Sequence, residues 1–437
     1  MKRSYKIATK KESGKLVEFF IKNGQALIPM VELIEQSKQT VDELVDELGR
    51  AAVEAVLRLS ASNVAGPPHP GKKGGEIRWH GAQQGTVALS NRKLIVSKPR
   101  LRKKGVGVDG EVPVPAYESM QDEGEMSERM HEILMRGVSS RNYESVIGEM
   151  ADSVGVKKSS VSKRFIKASA LAMKKLCERR FDDVEILVIY IDGQHFGKHN
   201  VINAIGVDVN GKKHALGLYA GATENGVSVK SLLEDLMSRG INPERRYLFV
   251  IDGSKALRHG INAVFGSKNP VQRCRIHKLR NVLDNLPEDE REQSACAMRA
   301  AWKLDAKEGM ARLLKLAEWL DREHHSAAAS LREGLEETFT VNRLGLPANL
   351  RRCLSTTNLI ESPQSGVRMR TRRVCRWRSE SMVMYWAASA LLETEKKFRK
   401  LQGYRDLWML KAALKSLEED KKEQKIDQEE AEKTEAA

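Results

Sequence analysis

The chain uses one short device twice: an apolar run that closes on Ile-Asp-Gly. Ile186 to Ile191 lead into Asp192 and Gly193, and Tyr247 to Ile251 lead into Asp252 and Gly253. Runs of this length, rich in β-branched and aromatic residues, read as strands buried on both faces of a sheet. A carboxylate at the rim of such a core loses hydration and is retained where a cation is waiting. Two such strands lying side by side would bring their acids together, and close carboxylates repel unless a divalent metal neutralises them. Asp-Gly is also an ordinary turn, so each copy alone says little. The pair in this order is what raises the metal question.

The surrounding pattern predicts a mixed α/β layer. Strands are expected over Glu185 to Asp192, Val201 to Val209 and His214 to Ala220, with a Gly-containing hairpin turn in "DVNGKKH". A helix from about Val227 to Arg239, the strand "YLFVI", another helix and a fifth strand in "NPVQRCRIHKLRNV" follow, which is the alternation of an α/β unit. Lys278 to Leu354 is helical in pattern. After it, "STTNLIESPQSGVRMRTRRVCRWRS" holds a single acid, Glu361, among Arg351, Arg352, Arg368, Arg370, Arg372, Arg373, Arg376 and Arg378. A salt-bridged surface glutamate is the plain reading. A site that handles a DNA phosphate instead wants metal-holding acid beside phosphate-holding arginine, and "TTN" is a fair helix start for it. An inserted helical domain explains why Glu361 lies so far beyond Asp252.

Upstream, residues 1–64 are expected to form a helical region and 65–115 a linker with a basic β-hairpin. The hairpin ends in a comb of Lys98, Arg100, Arg102, Lys103 and Lys104, which is either solvated surface or a phosphate contact. Residues 116–180 are expected to hold a helix-turn-helix, because Ala151, Gly155 and Val161 fall where that motif needs a small residue, a turn glycine and an apolar packing residue. Its second helix, about Lys157 to Ala168, would present Lys157, Ser159, Ser160, Lys163, Arg164 and Lys167 to DNA. A helical hairpin with a basic face is the alternative. The remaining expected divisions are 181–277 and 355–400 for the two parts of the α/β core, 278–354 for the helical insertion, and 401–437 for a C-terminal helix and a disordered charged tail.

The charge balance, 74 Lys and Arg against 59 Asp and Glu for a net +15, favours a polyanionic partner, nucleic acid before membrane. No apolar run approaches the roughly 20 residues a bilayer requires, and the start lacks a signal peptide's apolar stretch, so a cytoplasmic protein with no membrane partner is expected. Five scattered cysteines read as reduced thiols.

The ordered set "YIDG", "VIDGSKAL", "QRCRIHKLRN" and "TTNLIES", preceded by "GVSSRNYESVIGEM", resembles the bacterial insertion-sequence transposases related to the Mutator superfamily. The resemblance implies an RNase H-like catalytic domain interrupted by a helical insertion, and a DDE enzyme whose acids are Asp192, Asp252 and Glu361. It implies two Mg²⁺ ions, with Mn²⁺ as a substitute, Asp192 bridging them and Asp252 and Glu361 holding one each. Double-stranded DNA and a homodimer or larger oligomer are the implied partners, in a protein associated with the bacterial nucleoid. Cys274 and His277 match the family's Cys-x-x-His element and, with Asn358, are expected near the active site. A buried thiol and a core histidine remain the alternative for that pair. Zinc would need two more ligands, and no second pair follows at suitable spacing. An RNase H-like structure-specific nuclease and a non-catalytic helix-turn-helix regulator are the competing functions.

Overall fold

A computed structural model describes residues 38–68, 75–88, 93–121, 124–136, 158–221 and 226–419. They fall into two compact units, one of the described residues up to Leu134 with 158–165, the other of 135–136 with the described chain from Ile166 onward.

In the first unit a long helix, α1 (Lys38–Ala65), precedes strands β1 (Ile77–Ala88), β2 (Lys93–Lys103) and β3 (Glu111–Val112), paired antiparallel in the order β1-β2-β3. Short helices α2 (Pro115–Ser119) and α3 (Gly124–Met135) follow. Val53, Leu57, Ala61 and Val64 recur at helical spacing on α1. Leu57 packs with Val87, Leu94 and Val96, and Ala61 with Leu101 and Val114. The Glu54 carboxylate also accepts the Ser97 backbone N–H at 2.7 Å. The expected boundary between residues 64 and 65 therefore falls inside a shared core.

The second unit begins with the later turns of α4 (Lys158–Cys177) and then builds a five-stranded sheet in the order β6-β5-β4-β7-β8. Strands β4 (Ile186–Phe196), β5 (His199–Asp208) and β6 (Lys213–Gly221) are an antiparallel meander. After α5 (Gly226–Ser238), β7 (Leu248–Ile251) adds parallel to β4, and after α6 (Lys255–Phe265), β8 (Val271–Arg273) adds parallel to β7. Side chains alternate across the pleat. Ile189, Ile191, Phe249 and Ile251 face one core with α5 and α6, whereas Val188, Tyr190, Leu248 and Val250 face the other. Both faces are covered, which is why the strands read as unbroken apolar runs.

Helices α7 (Arg275–Leu283), α8 (Glu288–Ala301), α9 (Ala306–Leu320), α10 (His325–Arg332), the 3₁₀ turn Glu336–Phe339 and α11 (Thr340–Arg343) follow β8. They own a separate core that includes Val282, Met298, Leu313, Ala317, Leu331 and Phe339. Trp302 lies in it, its indole N–H donating to the Thr338 hydroxyl at 3.1 Å, whereas Trp319 is exposed. The chain then returns to the sheet through α12 (Ala348–Leu354), α13 (Asn358–Thr371), α14 (Glu380–Glu395) and α15 (407–419). Leu407, Leu410 and Leu414 of α15 are buried on the same face as Tyr190. Residues 420–437, where the disordered tail is expected, lie outside the described residues. All five cysteines are free.

Two local expectations fail. The strand does not stop at Asp192: β4 continues to Phe196, with Asp192 opposite Asn203 on β5. Only Asp252 follows the end of its strand. The fifth strand is also shorter than "NPVQRCRIHKLRNV" suggests, because α7 starts at Arg275.

Candidate active site

The β4/β7 register decides where the two aspartates stand. Val188 pairs with Leu248 and Tyr190 with Val250. Carried two residues past the last pair, one beyond the end of β7, the same offset puts Asp192 and Asp252 at one level. Period-two alternation turns both to the face of Tyr190 and Val250. Leu359 and Ile360 of α13 pack on that face, so Glu361 is delivered to the side on which the aspartates stand.

Asp192 is almost fully buried. Its Oδ2 accepts from the Gln364 amide at 2.9 Å, and its Oδ1 from the Gly193 N–H at 3.0 Å. Burial first, and the Asp252 charge second, push its carboxyl up to about 6 despite those donors. Asp252 caps the turn into α6: its Oδ1 accepts the Ser254 N–H at 2.8 Å, while the Ser254 hydroxyl accepts from Leu257 N. Gly253 between them has φ +110°, and a Cβ there would lie 2.1 Å from Arg273 Nε, so no other residue fits this exit from the strand.

Glu361 is held by groups from α7 and from the start of α13. Thr357 sits at the N-cap of α13, as the sequence suggests, but its hydroxyl makes no capping bond. It donates instead to Glu361 at 2.9 Å and lies 3.2 Å from Cys274 Sγ and 3.3 Å from His277 Nδ1. The other nitrogen of His277 is 3.8 Å from Glu361. Its hydrogen bond to Cys274, then the Asp252 and Glu361 charges, push the imidazole up to about 8 against the opposing effect of burial. At neutral pH a cationic His277 therefore sits among the three acids. Cys274 is fully buried, which would raise its thiol, yet the hydrogen bonds from His277 and Thr357 outweigh burial and lower it. Asn358 is exposed on the first turn of α13.

The donor set fits a hard divalent cation: three carboxylates, one of them desolvated beside a like charge that a single imidazolium offsets only in part. Among the described residues, the group whose ligand atoms all lie within 4.8 Å is Glu290, Glu323 and His324 on the helical segment. The sheet-end acids are spread more widely than that.

Sequence reasoning misses Gln364. It is buried three residues past Glu361 on α13, on the same stripe, and its own carbonyl accepts from Gln194, whose oxygen accepts from Asn203. The side-chain amides of Asn203 and Gln194 thus brace the Gln364 backbone, and the Gln364 side chain meets Asp192. The helical spacing of Glu361 and Gln364 is the one signal that could have found it.

The basic residues divide by environment. In the hairpin, Arg100 is bidentate to Glu111 at 2.9 and 2.8 Å, Arg102 lies 3.3 Å from His80, and Lys98 covers the Tyr117 ring at 4.2 Å, so these three are not a free comb. Lys103 and Lys104 are exposed. Lys157 and the expected turn with Ala151 and Gly155 lie outside the described residues, as do the side chains of Ser159 and Ser160. Val161 is buried, Lys163 and Lys167 are exposed and Arg164 is half-buried, on a helix that runs past the expected end at Ala168 to Cys177. Arg368, Arg372, Arg373, Arg376 and Arg378 are exposed, and Arg370 donates to the Gly366 carbonyl at 3.2 Å.

Comparison with known proteins adds three findings. The family described as "Transposase, Mutator family" matches residues 23–401. The transposase for insertion sequence element IS256 in transposon Tn4001 of Staphylococcus aureus is 26% identical over 282 residues, 60% of this chain and 68% of that protein. The transposase for insertion sequence element ISRM3 of Rhizobium meliloti is 24% identical over 347 residues, 76% of this chain and 82% of that protein. Among the described residues no helix is long and apolar enough to cross a membrane.

Proposed function

The chain belongs to the Mutator family of transposases, and we propose that it is the DDE enzyme of a bacterial insertion sequence, binding the element's terminal inverted repeats and catalysing DNA strand cleavage and strand transfer. The observation that carries this reading is the parallel register that levels Asp192 with Asp252 on the face α13 covers. An RNase H-like core is supported by three antiparallel strands extended by two parallel ones. A helical insertion is supported by the separate core built between β8 and α12.

The chain's own groups define the roles. Asp192, Asp252 and Glu361 would hold two Mg²⁺ ions, and Mn²⁺ would substitute. Such ions supply activation of water or a 3′-hydroxyl on one side of the phosphodiester and charge stabilisation of the departing oxygen on the other. Gln364 fixes the rotamer of Asp192. His277 and Thr357 hold Glu361 in place. Cys274, buried behind them, sets the tautomer and charge of His277. The exposed arginines from Arg368 to Arg378 bind phosphates flanking the cut. Lys98, Arg100, Arg102, Lys103 and Lys104 of the hairpin, and Lys157, Ser159, Ser160, Lys163, Arg164 and Lys167 of the α4 region, position the transposon end. Two ends must be handled together, so at least a homodimer on DNA is part of the reading.

The test uses duplexes carrying the inverted repeats that flank the coding sequence. Alanine at Asp192, Asp252 or Glu361 is expected to abolish Mg²⁺-dependent nicking of the end while leaving the band shift intact. Retained nicking by any one variant would remove that residue from the site.

A further inference from the structure

Beside the end of β7, a cleft of about 360 Å³ opens between α6 and the segment after α10. Its wall is charged. Lys255, Arg258, His259 and Asn262 fall on one stripe of α6 and face Glu333 and Glu337, with Arg273 on the floor. Arg273 is nine-tenths buried; its terminal nitrogens reach the Glu333 carbonyl and carboxylate at 3.1 Å, while its Nε has no partner. The Asn262 side-chain oxygen is likewise buried without a donor, and an amide that turns over presents its NH₂ there instead.

The two carboxylates do not neutralise this wall. Glu337 answers Arg258 at 3.5 Å. Glu333 alone answers Arg273 at 3.1 Å and both Lys255 and Lys278 at 3.9 Å. Three cationic side chains of the wall, with the buried Lys278 behind them, therefore share two acids. Burial, and then the charge of Arg273, push the Lys278 ammonium down to about 8. The cluster is short of negative charge. An apolar ligand finds no partner here. Gly253, which lines the cleft, directly follows Asp252, so the wall begins one residue along the chain from the acids. Lys255 stands at the mouth, 91% exposed, where an extended strand would pass.

We propose that this cleft binds a backbone phosphate of the DNA strand adjacent to the one held at Asp192, Asp252 and Glu361, with Lys255 and Arg258 as its cationic donors and Arg273 as a buried charge beneath them. The assignment rests on the transposase reading. It makes the cleft a second grip that keeps the strand in line with the acids.

The experiment is fluorescence anisotropy of the full chain with a mixed-sequence DNA duplex in Mg²⁺-free buffer, repeated over a salt series. Lys255→Gln and Arg258→Gln together are expected to lower affinity roughly fivefold and to reduce the slope of log affinity against log salt by about 0.9, the signature of one lost phosphate contact. Lys255→Gln alone, on a side chain exposed enough to leave folding untouched, is expected to move the slope the same way by less. Glu337→Gln, which frees Arg258, is expected to tighten binding. An unchanged slope in the double variant, or weaker binding by Glu337→Gln, overturns the cleft assignment. Failure of the unaltered chain to bind any duplex would instead overturn the transposase reading.

Discussion

Ile191-Asp192-Gly193 and Ile251-Asp252-Gly253 are the same tripeptide after the same kind of apolar run, yet the chain leaves them in different directions. After Asp192 the strand runs on for four residues, because β5 lies antiparallel beside it and continues the ladder to His199. After Asp252 the ladder is over. β7 is four residues long, its neighbours are parallel, and the backbone turns through a positive-φ glycine into α6. Environments part in the same way: Asp192 is buried under Gln364, and Asp252 is half-buried over a helix start. Local sequence thus sets which face the acid occupies, while the neighbouring strand sets whether the chain continues.

Carboxamide replacement should first erase the contrast. Asp192→Asn and Asp252→Asn are each expected to cost more than about a thousandfold in end nicking, on the order of 4 kcal/mol, whatever their surroundings. A variant that keeps a tenth of the activity would mean that only one of the two is a metal ligand. The glycines should then separate the sites. Gly253→Ala combines a disfavoured φ with a collision against Arg273 and is expected to destabilise the fold by about 3 kcal/mol. Gly193, which is not at positive φ, should cost less, and equal losses by chemical denaturation would dissolve the distinction.

Stability against pH sharpens the comparison further. The Asp192 carboxyl, raised from 3.8 to about 6, favours the folded state when protonated. That contribution is fully present below about 3.8 and is lost as pH rises through about 6. In Mg²⁺-free buffer at pH 7 to 8, Asp192→Asn is therefore expected to stabilise the fold by up to about 3 kcal/mol, whereas Asp252→Asn, which keeps the acceptor for Ser254, should move stability less. His277, raised to about 8, also loses its contribution as pH rises, between about 6.5 and 8. Melting curves over that range for the wild type and His277→Gln should converge at the alkaline end. The smallest expected effect belongs to the amide: Gln364→Leu should cost about 1 kcal/mol, and a titration showing Asp192 unmoved in that variant would remove Gln364 from its environment.

Much of this candidate site is written in the chain as local pattern. The apolar runs announce buried strands, the shared Ile-Asp-Gly announces paired acids, and the lone glutamate among arginines at Glu361 is visible by its isolation. What escapes is whatever depends on a distant partner. Nothing near Asp192 tells that Asn203 will extend its ladder, and nothing near Arg100 tells that Glu111 will fold back to claim it. Thr357 carries a capping signal that Cys274 and Glu361 divert, since a hydroxyl serves whichever acceptor the fold brings nearest. Residues 38–64 and the hairpin share a core for a related reason: amphipathic spacing gives the stripe on α1 but not the surface that receives it.

The three-pair ladder between β4 and β7 has a consequence for how such a chain can change over generations. The gap between the two aspartates is measured across strands and not along the polymer, so the hairpins and the crossover helix joining them are free to lengthen, shorten or be rewritten. A slip of the ladder by a single step would throw one acid to the far side of the sheet. Insertions should therefore accumulate in the connections and be purged from two very short words of sequence.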